Sequence, residues 1–160
     1  MTEHIESRIP DKKNYMTDRY LDDQQCIDRL LNEWEKHGSL IVALDYDNTV
    51  FDFHEKGDAY DHVIALIRKV HKMGCKVVIF TCSNESRFPE IEKYLKDNDI
   101  PFDAINQNVV LTPYEARKIY YSIFLCDRAG LSASYRILSE VSEIVLMNRN
   151  GDKITNKQDI

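Results

Sequence analysis

Hydrophobic positions fall along this chain in two rhythms, and their alternation predicts the architecture. Over residues 15–37, Tyr20, Ile27, Leu30, Leu31 and Trp34 recur at helical spacing between acids and bases, and Gly38 follows as a C-cap. Residues 40–44, Leu-Ile-Val-Ala-Leu, are apolar without a break, as in a strand covered on both faces. Residues 50–57 read as a loop or short hairpin. A helix starting at Asp58 or a neighbour runs through Val63, Ile64, Leu66, Ile67 and Val70 to Met73-Gly74. The second strand, 76–80, ends in the polar cluster Thr81-Cys82-Ser83-Asn84.

Pro89 suits the first turn of the next helix, which passes Ile91, Tyr94 and Leu95 to about Asn98. Residues 100–105 form a short extended piece and 106–113 a loop. Thr112-Pro113-Tyr114-Glu115 resembles a helix start, with Thr112 as N-cap. A strand over 122–126 ends at Asp127. A helix over 132–141 and a last strand, Ile144-Val145-Leu146-Met147, complete the pattern. Strands alternating with helices imply an α/β domain with a parallel sheet. The expected organisation is an N-terminal extension over 1–39 with one amphipathic helix packed on the core, a core over 40–147, and a polar tail over 148–160.

Composition excludes little but narrows the setting. The 160 residues carry 21 Lys+Arg and 27 Asp+Glu, a net charge of −6, which disfavours nucleic acid as a partner without excluding a local basic patch. No apolar stretch is long enough to span a bilayer, so a membrane role is not expected. The first residues, Met1-Thr2-Glu3-His4-Ile5-Glu6, lack the basic-then-apolar pattern of a signal peptide. Cys26, Cys75, Cys82 and Cys126 form no CxxC pair, which points to reduced thiols in the cytoplasm.

The chemistry concentrates where the first strand ends, in Asp45-Tyr46-Asp47-Asn48-Thr49. Alternation sends Asp45 and Asp47 to the same face. The carboxyl end of a strand is where open α/β sheets place their ligands. Two like charges so close need a proton or a cation between them. Three strands thus end in residues suited to one site: Asp45 and Asp47, Thr81, and Asp127.

These residues resemble the motifs of the haloacid dehalogenase superfamily, mostly phosphatases and phosphotransferases. The likeness spans residues 40–147. Asp45-Tyr46-Asp47-Asn48-Thr49 matches the first motif, Thr81 the second, Lys118 the third and Asp127 the fourth. The resemblance implies a Rossmann-like three-layer sandwich with a central parallel sheet. It implies a Mg²⁺-dependent phosphomonoester hydrolase in which Asp45 is the nucleophile, forming an aspartyl-phosphate. Asp47 would protonate the leaving oxygen and later activate water. The Asp45 carboxylate, the Asp47 carbonyl and Asp127 would hold Mg²⁺, a cation suited to oxygen ligands. Thr81, with Cys82 and Ser83 beside it, would bind the phosphoryl group, and Lys118 would neutralise charge on nucleophile and phosphate.

Two residues depart from the family pattern. Asn48 stands where many members have glycine, and asparagine tolerates the left-handed backbone such a turn needs. Cys126 stands where many small relatives have a first acid before the metal-binding one. The intervals between the motifs leave no room for a large cap domain, so an open site is expected, closed if at all by a partner such as a second copy of the chain. The alternatives are a phosphate-binding regulatory or scaffold module with little turnover and a nucleic-acid end phosphatase.

Overall fold

The computed structural model describes residues 18–110 and 116–155. Eight principal elements follow in the order α1 (Asp23–His37), β1 (Ile41–Leu44), α2 (Asp61–Lys72), β2 (Lys76–Ile79), α3 (Phe88–Asp97), β3 (Ala104–Ile105), β4 (Ile123–Leu125) and α4 (Leu131–Thr155). Short 3₁₀ turns, Arg19–Leu21 and Glu85–Arg87, precede α1 and α3. The four strands form one parallel sheet in the order β3-β2-β1-β4. The fold is α/β with a parallel sheet, as the alternation predicts, and Rossmann-like, as the resemblance implies.

Alternation along the central strand divides its side chains between two cores. Val42 and Leu44, with Val77 and Ile79 beside them in register, join the main core with Leu30 and Trp34 of α1, Ile67 and Val70 of α2, Ile91 and Leu95 of α3, and Leu138 and Val141 of α4. Ile41 and Val78 face the other way and pack with Ile119, backed by Val109 and Tyr121 of the β3–β4 connection. Helices thus cover one face, and among the described residues the irregular β3–β4 segment covers the other.

The N-terminal helix packs on the core, as its amphipathic pattern predicts. Asp22 caps it, accepting from the Gln24 amide at 2.9 Å, and Gly38 closes it at φ 78°. It starts at Asp23, later than the periodicity predicts; Tyr15 lies outside the described residues. Glu33 of α1 accepts from the Ser122 hydroxyl at 2.6 Å, while that same oxygen accepts from the Ile41 amide at 2.9 Å. This pins α1 to the amino ends of β1 and β4, the end of the sheet opposite the Asp45 cluster.

The C-terminal region corrects the sequence reading. Residues 144–147 are not a strand, and the expected polar tail over 148–160 is helical as far as Thr155. Residues 144–155 belong to α4, which runs unbroken from Leu131 to Thr155. A short apolar run does not distinguish a strand from a buried helix segment, and packing decided it. Leu138, Val141, Ile144 and Val145 line the core at helical spacing, while Leu146 and Met147 face solvent. The Arg149 guanidinium lies 5.8 Å from the Trp34 ring centroid and donates to the Met73 carbonyl at 3.2 Å. Those contacts hold the last turns against α1 and α2. The helix start read at Thr112-Pro113-Tyr114-Glu115 lies outside the described residues, and residues 116–121 after it are not helical.

Candidate active site

Strand order places the cluster. β2 and β3 extend the sheet to one side of β1, and β4 returns to the other, so the order reverses at the β1–β4 junction. A crevice opens outside the carboxyl ends at such a reversal. Asp45 follows β1 there, its amide donating to the Leu125 carbonyl at 2.9 Å, and Asp127 lies two residues past β4.

The turn after β1 is built to aim these groups. Tyr46 points into the main core, its ring stacked on Phe51 at 4.9 Å and edge-on to Tyr94 at 5.7 Å. Tyr94 in turn donates to the Val50 carbonyl at 3.1 Å. Asn48 adopts φ 56°, the left-handed conformation its type tolerates, and its amide donates to the Phe51 carbonyl at 2.7 Å. With Tyr46 inward, Asp45 and Asp47 both face the crevice, as alternation predicts.

Thr49 binds the two motifs together. It is fully buried, and its hydroxyl donates to Asp45 Oδ2 at 3.3 Å and accepts from the Asp127 amide at 3.1 Å. The Cys126 thiol also donates to Asp45 Oδ2 at 3.5 Å and lies 3.7 Å from Asp127 Oδ1. Oxygen or sulfur atoms of Asp45, Cys126 and Asp127 all lie within 4.8 Å of one another. Burial, then the Asp127 carboxyl beside it, pushes the Asp45 pKa up to about 6. Burial, aided by the negative charge of Asp45, pushes Cys126 up to about 11, so it stays a neutral thiol at neutral pH.

Asp47 lines the same cleft, and its Oδ1 is buried with no hydrogen-bond partner among the described residues. Thr81 closes the β2 side. The Asn106 side chain brackets its peptide, accepting from the Thr81 amide at 2.9 Å and donating to the Thr81 carbonyl at 2.8 Å. The Thr81 hydroxyl accepts from the Ser83 amide at 3.1 Å. Cys82 is exposed in the cleft wall, whereas the Ser83 hydroxyl is engaged by Arg87 at 3.3 Å.

The cleft has a volume of about 400 Å³ and unites Asp45, Asp47, Thr81, Cys82 and Asp127. Lys118 does not line it. Its Nζ lies 5.8 Å from the Tyr121 ring centroid, on the aromatic cluster behind the β4 wall. Among the described residues, the cations and potential cations that line the cleft are Arg128 and His54, neither of which the motif reading singled out. Arg128 follows Asp127 directly in sequence, and that adjacency was the available signal. Asn106 carried no motif at all; only the structure shows it holding Thr81.

No protein-family model matches the chain, and no curated protein is significantly similar to it. Among solved structures, a conserved protein from Bacteroides thetaiotaomicron shares the fold, with a TM-score of 0.52 and 15% identity. The match covers 64% of this chain and 91% of that one. The likeness is one of fold. No helix among the described residues is long and apolar enough to cross a membrane.

Proposed function

We propose that this chain is a Mg²⁺-dependent phosphomonoester hydrolase of the haloacid dehalogenase type, acting through an aspartyl-phosphate on Asp45. One observation carries the reading: the Thr49 hydroxyl joins Asp45 to the Asp127 backbone at the point where the strand order reverses. Asp47 and Thr81 line the same cleft, which adds the other two chemical groups the reaction needs.

The donor set fits a hard divalent cation. Two carboxylates lie within reach of one ion, and sulfur, a soft donor, adds little to a hard cation that prefers oxygen. Asp45, Asp127 and the Asp47 carbonyl would hold Mg²⁺, which supplies charge neutralisation between nucleophile and phosphate. An Asp45 carboxylate oxygen attacks phosphorus while the ester P–O bond breaks. Asp47 gives its proton to the departing alkoxide, so the alcohol leaves neutral. Water then attacks the aspartyl-phosphate, Asp47 takes a proton from it, and inorganic phosphate and the Asp45 carboxylate are released. Thr81 and Arg128, which line the cleft, would contact the phosphoryl oxygens.

The direct test is hydrolysis of an aryl phosphate with and without Mg²⁺. Activity should require the cation and vanish in Asp45→Asn; hydrolysis surviving that substitution would refute the assignment. The place of Lys118 outside the cleft favours one second reading, a phosphate-binding module with little turnover. Tight phosphate-analogue binding without hydrolysis across a substrate panel would select it.

A further inference from the structure

The wall of the Asp45 cleft is aromatic on the side the motifs do not explain. Ile41 and Ala43 share one face of β1, and Asp45, just past its end, continues that face. In register, Ala43 lies between Val78 of β2 and Phe124 of β4. Continuing that register by two residues, past Leu44 and Ile79, with the Phe80 amide donating to the Leu44 carbonyl at 2.9 Å, brings Phe80 alongside Asp45. Ala43 is too small to separate the neighbouring rings, and Phe80 and Phe124 meet edge to face with centroids 5.4 Å apart. Tyr121 backs them at 6.5 and 5.6 Å.

Phe80 remains 36% exposed and Phe53, on the loop after β1, 52% exposed. Both line the cleft with Phe124 and His54. Two large apolar rings left open beside a charged floor make a surface that a ring can cover while its anionic end reaches the carboxylates. Small pockets orient ligands this way, with apolar walls and a few placed polar groups.

We propose that the cleft takes a phosphomonoester whose alcohol portion carries a planar aromatic ring, packed against Phe80 and Phe124. The proposal rests on reading the Asp45 floor as a phosphoester site and adds the substrate class to it. The ring can adjoin the phosphate, as in an arylmethyl ester, or lie beyond a sugar, as in a nucleoside 5′-monophosphate.

Equilibrium binding separates this from catalysis. The full chain with Mg²⁺ is titrated calorimetrically with benzylphosphonate and with cyclohexylmethylphosphonate, which match in size and charge and differ in the π face. Benzylphosphonate should bind about threefold to tenfold tighter, the range of an aromatic pair beyond its area. Phe80→Leu should bring that ratio close to one. Equal affinities, or a ratio unchanged in Phe80→Leu, would overturn the proposal, as would binding of neither compound. In Asp45→Asn, which blocks turnover, adenosine 5′-monophosphate is compared with ribose 5-phosphate. A preference for the nucleotide exceeding the benzyl preference assigns the ring beyond a sugar, and the reverse assigns it next to the phosphate. Asp45-dependent hydrolysis without ring preference would remove the substrate class and leave the phosphatase reading standing. Ring preference with hydrolysis intact in Asp45→Asn would do the opposite.

Discussion

The Thr49 hydroxyl stands 3.3 Å from Asp45 Oδ2 and gives it a hydrogen bond, while its oxygen takes one from the amide of Asp127 at 3.1 Å. A single buried side chain thus sets the spacing of two strand ends that are 82 residues apart by number.

Thr49→Val keeps the shape and removes both bonds. It leaves the Asp127 amide without a partner and Asp45 Oδ2 with the weak Cys126 thiol as its side-chain donor. The cost should be about 1–3 kcal/mol in chemical denaturation, with kcat down at least tenfold from misplacement of the nucleophile. Thr49→Ser should recover most of both. A valine variant with wild-type kcat would show that Thr49 does not position Asp45.

Asp45 links charge to stability. Its folded pKa of about 6 lies above the ordinary 3.8, so the protonated form contributes stability that is fully present below pH 3.8 and lost as pH rises through 6. Asparagine does not titrate. Without a divalent cation, Asp45→Asn should therefore gain on wild type between pH 4 and 7, by about 1 kcal/mol after solvent screening at this half-buried carboxyl. Thermal unfolding in a chelating buffer at several pH values reads this directly. A constant difference across that range would mean Asp45 is not strained by its surroundings.

Cys126 offers a test of the proposed cation. Replacing it with aspartate adds a hard oxygen donor within reach of Asp45 and Asp127. Cys126→Asp should lower the Mg²⁺ concentration for half-maximal activity severalfold and destabilise the cation-free protein through like-charge repulsion. A Mg²⁺ requirement that rises in this variant would place the cation elsewhere.

Arg128 and Lys118 are separated by position. Arg128 lines the cleft and Lys118 does not. Arg128→Ala should raise KM for a phosphoester about tenfold, consistent with loss of a charge-assisted contact. Lys118→Ala should change it about twofold or less. The reverse order in steady-state kinetics would mean that the segment carrying Lys118 swings onto the substrate.

Much of this architecture is legible in the amino-acid sequence. The unbroken apolar run into Asp45 marked the central strand. The spacing of Asp45 and Asp47 gave their shared orientation, and Asn48 indeed adopts the left-handed turn its type allows. What escaped was decided by contacts distant in sequence. Ile144 to Met147 reads as a strand until Arg149 is seen against Trp34 and Met73. Asn106 looks like a loop residue until its amide closes on Thr81 across 25 positions. Lys118 matched a motif by order along the chain, but order does not say where an irregular segment turns its side chains.

The central claim is that Asp45 becomes phosphorylated. Rapid acid quench during turnover of an aryl phosphate with Mg²⁺, followed by peptide mass spectrometry, tests it most directly. The account predicts one phosphoryl group on the peptide containing Asp45, absent in Asp45→Asn and accumulating in Asp47→Asn with a good leaving group. Turnover with no phosphorylated Asp45, together with activity retained in Asp45→Asn, would contradict it.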